Sequence, residues 1–383
     1  MKHRSTVKNY QAGDTVQIAG AGPSGLAAAI TLAHAGVPVV VHEAKKGVGH
    51  RFGADLQGLE NWSTEQDVLE DMRSQGLTTD FAVQPGLRGM AYDAWDTAYP
   101  IECDQPLFYM VVRGPGPDTL DTALLNQALS LGVEVKFNSR LKTIEGPGVL
   151  ATGPQAADAI AVGYHFDTDM ENGFWAICDD TVAPKGYAYL LTMNGRGTVK
   201  TCMFADFNNK QRYIERTMEA FDRLVAPDMR NLRPHGGVGN FHVPLSAIHG
   251  GHPIVGEQAG FQDTLWGFGM RHAMTSGVLA ARSIIEGSDY NTQWQRALIR
   301  QMQTSVVNRL LYSKMRNRGY RFFLRLTTGQ QDIRGFLRRF YRMSTMKRLL
   351  LPWSQRRYVS QMKIATCTNE ACSSVRCRCG TAS

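Results

Sequence analysis

The sequence predicts an α/β fold: a Rossmann-type domain interrupted by an inserted antiparallel sheet and followed by a basic helical C-terminal segment. Three observations carry this. A strand, a glycine-rich turn, a helix and a second strand follow one another from Val16 to Ala44. A second glycine-rich turn meets a helix near Met270. Between them, "GYAYLLTMNGRGTVKTCMFADF" alternates in a strand-like way around Asn194-Gly195, a two-residue hairpin signal.

In the first unit, Val16–Ala19 reads as a short buried strand and Pro23–Ala35 as a helix rich in Ala and Leu. Val37–Val41 is almost pure valine, as a parallel strand covered on both faces requires. The turn between strand and helix is GAGPSG, a G-x-G-x-x-G. Gly20 makes the tight turn, Gly22 admits a pyrophosphate to the backbone, and Gly25 lets helix and strand pack closely. The helix N-terminus presents free N–H groups and the positive dipole end to the phosphates. Glu43 follows Gly20 by 23 residues, where a carboxylate accepts hydrogen bonds from an adenosine ribose. The unit therefore reads as a dinucleotide site.

Three later stretches choose the dinucleotide. Tyr109–Phe137 reads as a strand, a helix and a strand, and carries Arg113 within reach of cofactor or substrate. Gly148–Gly153, "GVLATG", ends a strand in small residues. In His252–Ile284 a short strand meets Gly256-Glu257, and a loop with Gly267 and Gly269 leads into a helix from Met270. A second helix N-terminus aimed at a flat ligand stabilises the charge of a reduced flavin, and a carboxylate at a strand end suits a ribityl chain. NAD has no ribityl chain. The expected cofactor is FAD, with NAD(P)H or another electron donor left open.

Together these motifs resemble FAD-dependent oxidoreductases of the p-hydroxybenzoate hydroxylase fold, most of all the geranylgeranyl reductase family. The resemblance spans roughly Val16 to Gly287 and includes "PKGYAYLLT" at Pro184–Thr192. It departs from the family pattern at Glu257, Gln258, Tyr189 and Leu191-Thr192, and Phe52–Trp62 lacks the family's cysteine. It implies that Arg51 and Gln57 contact FAD. It also implies a reductase that passes hydride from flavin to an apolar, isoprenoid- or lipid-like substrate. A flavin monooxygenase using NAD(P)H and O2, and a non-catalytic redox sensor, stay open.

The expected boundaries are 14–160 for the first part of the FAD-binding domain, with 96–107 left out of it, and 161–244 for the substrate sheet. The second FAD part takes 245–290, basic amphipathic helices 291–360, and a cysteine-containing tail 361–383. Flavins carry the redox chemistry, so neither a catalytic triad nor a metal is expected. Tyr187 and Tyr189 alternate on one strand and face the same way, toward the flavin pocket or into a sheet core. They are the candidate catalytic groups with His242; His272 is a further candidate proton donor.

Charge is uneven along the 383 residues. Arg309–Arg357 holds 12 Arg, 2 Lys and one acid, a surplus of +13 that leaves −5 for the remainder. Arginines interleaved with Phe, Leu, Tyr and Trp suit helices lying on an anionic membrane, or basic helices packed on an acidic body. No nucleic-acid module accompanies the charge. No apolar run reaches about 18 residues and the N-terminus lacks a signal core, so a cytoplasmic place is expected, with a peripheral one on the inner membrane face left open. Cys367, Cys372, Cys377 and Cys379 follow no zinc spacing.

Overall fold

The computed structural model describes residues 10–358. The four tail cysteines, with all of 361–383, lie outside them.

The chain opens with β1 (Val16–Ala19), α1 (Pro23–His34) and β2 (Val39–His42). There follow β3 (Asp55–Glu60), α2 (Val68–Ser74), β4 (Val83–Pro85), β5 (Arg88–Asp93) and β6 (Ala98–Glu102). Then come β7 (Phe108–Arg113), α3 (Leu120–Ser130), β8 (Glu134–Lys136) and β9 (Gly148–Leu150). The inserted region supplies β10 (Ala159–Asp167), β11 (Gly173–Cys178), β12 (Tyr187–Met193), β13 (Arg196–Met203), α4 (Lys210–Val225) and β14 (Arg230–Gly239). The chain returns through β15 (Ile248–His249), β16 (His252–Pro253) and α5 (Met270–Glu286). It continues into α6 (Tyr290–Thr328), α7 (Ile333–Phe340) and α8 (Thr345–Arg357).

The nucleotide-binding layer is the all-parallel sheet β8-β2-β1-β9. Valines on both faces of β2 and a run of small buried residues in α1 let helix and sheet close on each other, and α5 packs along α1. The Gly277 position shows how tightly: a Cβ there would collide with the Ser24 carbonyl. This is a dense core of small and branched side chains.

The second layer is a seven-stranded sheet, β14-β10-β13-β12-β11-β5-β6. Its β12–β13 hairpin turns at Asn194 (φ 52°) and Gly195 (φ 77°), the left-handed pair that a tight two-residue turn needs. This corrects the expected boundaries in one respect. β5 and β6 leave the FAD-binding part and complete the inserted sheet, so its residues are 88–102 as well as 159–239. β5 runs parallel to β11, making the sheet mixed. The pairing that places β5 here joins Gly89 to Phe174, too far apart in the chain for a local pattern to show.

The C-terminal segment is helical, as expected. Side chains of Asp289, Asp332 and Ser344 cap the N-termini of α6, α7 and α8. α6 breaks at Arg316 (φ 50°, ψ −173°). Its first half packs on the FAD-binding part, and its second half crosses the inserted sheet. No helix among the described residues is long and apolar enough to cross a membrane.

Candidate active site

The two layers and the C-terminal helices enclose a cavity of about 1040 Å³. One end is the glycine turn. Gly20 has φ +114°, and a Cβ there would collide with the Ala151 carbonyl. A Cβ at Gly25 would collide with the Gly20 carbonyl, whereas one at Gly22 would meet nothing within 4 Å. Gly20 and Gly25 thus serve the fold, and Gly22 keeps space open for a ligand. No side chain caps α1, so its N-terminal N–H groups are left for that ligand. Glu43 stands just after β2, where one carboxylate oxygen accepts the Ala21 N–H at 3.0 Å and the other the Lys45 N–H at 2.9 Å.

The second glycine turn faces the same cavity. Gly256 (φ +61°) sits against Ser24, so the two turns are packed on each other. Gly269 is the N-cap of α5, again without a side-chain cap, and Met270 lines the cavity in its first turn. Gly267 (φ +80°) borders open space. Two uncapped helix N-termini therefore open on one cleft, which fits a diphosphate at the first and an electron-rich ring edge at the second.

The expected polar contacts are more engaged than the sequence suggested. Arg113 is buried, and its Nε and Nη2 both donate to the Asp121 carboxylate at 2.8 Å. Its Nη1 donates to Gln57 at 3.2 Å, and the guanidinium lies 4.2 Å over the Phe52 ring. Arg113 borders the cavity, but it orders the loop before β3 rather than reaching for a ligand. Arg51, half exposed on the rim, donates to Glu257 at 3.2 Å. Glu257 also accepts the Asn240 N–H at 3.1 Å, and burial raises its pKa against the pull of Arg51.

Tyr187 and Tyr189 both line the cavity, their rings 5.9 Å apart. Tyr187 donates its proton to the Trp266 carbonyl at 2.5 Å. Burial pushes both phenols well up, so both stay protonated. His242 is not part of the cavity wall. It is buried behind the turn that ends at Gly260, where a Cβ would collide with its ring, and burial lowers its pKa. The segment carrying it passes behind the glycine turn instead of over the cleft. His272 is likewise withdrawn, beside Glu60, Asp263 and Tyr341 in a separate small pocket.

Two parts of the wall were missed from the sequence. The roof is made by Phe323, Leu324, Thr327 and Thr328 of α6 with Ile333 and Leu337 of α7. Phe323, one of the aromatic residues interleaved with the arginines, is an inward residue. The floor contains a buried ionic cluster, Asp55 with Lys200, His165 and His235. A lysine in the alternating run Gly197–Met203 reads as a solvent-facing position; only the pairing of β13 with β10 and β12 turns it inward.

Residues 14–153 match the family model described as FAD binding domain. This part of the chain is an FAD-binding domain, and the whole has the fold of flavin-dependent proteins of the p-hydroxybenzoate hydroxylase type. It is similar in structure to a geranylgeranyl bacteriochlorophyll reductase-like protein from Thermoplasma acidophilum, with a TM-score of 0.67 and 16% identity over 90% of this chain and 96% of that one. It is also similar to a flavin-dependent brominase (TM-score 0.64, 14% identity, 90% of this chain and 99% of that one). A third likeness is to 2-methyl-3-hydroxypyridine-5-carboxylic acid oxygenase (TM-score 0.56, 15% identity, 79% and 94%). No protein of curated function matches the sequence. The cleft between the two glycine turns has open helix N-termini and room that fit FAD.

Proposed function

We propose that this protein is an FAD-dependent oxidoreductase, a reductase of an apolar, isoprenoid- or lipid-like substrate. The observation that carries the reading is the chamber beyond the FAD cleft. Its walls are Trp62, Phe108, Phe174, Leu191, Phe268 and the α6–α7 roof, almost all of them apolar. A pocket of this kind gains most of its affinity from apolar burial. FAD supplies the transfer of an electron pair with hydrogen; the protein holds the substrate against it and excludes water. NAD(P)H or another electron donor supplies the electrons.

The substrate is proposed to arrive from an anionic membrane surface. Of the basic side chains between 309 and 357, Arg309, Arg321, Arg334, Arg338 and Lys347 are turned inward or half-buried, while Lys314, Arg316, Arg318, Arg325, Arg339, Arg342, Arg348, Arg356 and Arg357 are exposed. Phe322, Met346, Leu349 and Trp353 are exposed on the same helices, and Met346, Leu349 and Trp353 recur at helical spacing on α8. α8, with the outer side of α6 at Phe322, thus presents an amphipathic outer face.

The ring-rich wall also favours a second reading, a flavin monooxygenase acting on an aromatic compound. One experiment separates the two. The protein is loaded with FAD, reduced without oxygen, and given a polyprenyl alkene. A product heavier by two hydrogens supports the reductase. No anaerobic product, together with label from isotopic O2 appearing in an aromatic acceptor, replaces it with the monooxygenase.

A further inference from the structure

We propose that Lys200 is the proton donor of the chamber and that Asp55, assisted by His165 and His235, recharges it from solvent. The inference rests on the reductase reading for its substrate and on geometry for its residues. Lys200 is 2% exposed, and its Nζ lies 2.6 Å from Asp55 Oδ1. His165 Nε2 is 3.0 Å from the same oxygen. His235 Nδ1 is 3.9 Å from Asp55 Oδ2 and has no hydrogen-bond partner. The two imidazoles stack with centroids 4.2 Å apart.

Topology explains the assembly. Gly163 pairs with both His235 and Lys200, and Lys200 with Tyr189, so these residues form one cross-strand row on the cavity face. A Cβ at Gly163 would collide with the Val199 carbonyl, so the glycine lets β10 lie close on β13 at this row. Asp55 comes from β3 of the FAD-binding part, so the cluster joins the two layers where the cleft meets the chamber. Asp55, Lys200, His235 and Tyr189 all line the cavity. On the outer side, His235 Nε2 donates to the Arg51 carbonyl at 3.0 Å, on the rim of the cleft.

A buried ion pair is poor value for stability alone, since apolar side chains of the same volume serve as well. This one sits in an otherwise apolar chamber, where a charge has a chemical use. Adding two hydrogens across a double bond forms two C–H bonds. One takes its hydrogen and electron pair from reduced FAD, which is oxidised. The other takes a proton: an Nζ–H bond of Lys200 breaks and the proton bonds to the second carbon. The neutral amine regains a proton through the Asp55 carboxylate: His235 takes a proton from water at the rim, leaving hydroxide to the solvent, and as an imidazolium gives its Nδ1 proton to Asp55, which passes it to the amine. Burial lowers the Lys200 pKa while Asp55 opposes it, which makes the ammonium a readier acid than a surface lysine. Burial likewise lowers that of His235, with Lys200 adding to it. The other polar and titratable groups facing the cluster are Gln57 and Thr198, which donate to Asp55 at 2.8 and 3.3 Å, and Tyr189. Asp55, His165 and His235 also bring ligand atoms within 4.8 Å of one another. A cation there would have to displace the Lys200 ammonium from Asp55.

Reduction of FAD itself takes up a proton, and in this chamber that proton uses the same route from the rim through Lys200; the test therefore measures proton uptake during anaerobic photoreduction of bound FAD, in weakly buffered solution with an indicator dye. Two variants are compared with the parent protein: His235→Gln, and the double variant Lys200→Met with Asp55→Asn, which leaves no buried charge unpaired. The expected result is uptake slowed about tenfold or more in both, with the absorbance of bound FAD retained. In the parent protein, reduction of an apolar acceptor should also show a solvent isotope effect that His235→Gln enlarges. Unchanged uptake in variants that still bind FAD overturns the proposal. So does stoichiometric zinc retained by the parent protein after dialysis. If the parent reduces no apolar acceptor yet the uptake slows in both variants, the reductase reading fails and the proton route stands.

Discussion

Arg51 and Glu257, 206 positions apart in the chain, meet at 3.2 Å across the mouth of the FAD cleft. The pair closes the loop after β2 onto the turn before α5, so Glu257 holds a rim as well as offering an acceptor. Glu257→Ala should weaken FAD binding by roughly tenfold or more, the worth of a charged hydrogen bond of about 1.5–3 kcal/mol. Flavin fluorescence titration of the apoprotein measures it, and an unchanged dissociation constant removes Glu257 from the site.

Gly22 and Gly25 should fail in different ways. Gly22→Val points into open space, so the apoprotein should keep its helical circular dichroism and lose FAD. Gly25→Ala drives a methyl into the Gly20 carbonyl and should cost about 1–3 kcal/mol of stability, read by urea unfolding of the apoprotein. Equal stability for both variants contradicts this division.

Asp121→Ala strands Arg113, which is 4% exposed, without its carboxylate. Breaking one side of a buried pair costs about 3–5 kcal/mol, and denaturant midpoints will show it. Arg113→Met with Asp121→Leu should recover much of the loss if the pair is structural.

Lys347 gives a pH signature. Burial lowers its pKa to about 8. Between there and its unfolded value of about 10.4 the unfolded chain binds more protons, so stability should rise with pH across that window. The slope should flatten in Lys347→Met. An identical slope in both proteins assigns the effect elsewhere.

For the outer face, co-sedimentation with phosphatidylglycerol vesicles should be strong at low salt and lost at high salt. Each basic residue near the surface contributes about 1 kcal/mol, screened beyond about 8–10 Å. Changing Arg339, Arg342 and Arg348 to Gln should weaken binding. Arg338 is a poorer choice, because it reaches Glu65 at 3.5 Å. Protein that stays in the supernatant at low salt refutes membrane delivery.

Much of the cofactor cleft was legible in the sequence because its causes are local. β1 spans Val16–Ala19 as expected, α5 begins at Met270, and the hairpin turns at Asn194-Gly195. Each follows from a glycine, a cap or a period within a dozen residues. The substrate side was less legible because its causes are long-range. Lys200 faces inward only through its partners on β10 and β12, and its counter-ion Asp55 is 145 positions away. His242 reads as a proton donor in the sequence, and the fold places its ring behind Gly260 and outside the cavity wall. The arginines of 309–357 read as one patch, although pairs such as Arg321 with Asp93 at 2.6 Å divide them between core and surface.

The roof of the chamber has a separate lineage of constraint from its floor. In the first glycine turn Gly20 and Gly25 are locked by backbone collisions and admit almost no change. The roof is drawn from α6 and α7, held on by ordinary apolar packing that tolerates exchange of one hydrophobic side chain for another of similar volume. Phe323, Leu324, Ile333 and Leu337 are therefore the positions at which this scaffold can acquire new substrates by single substitutions while its redox centre stays fixed.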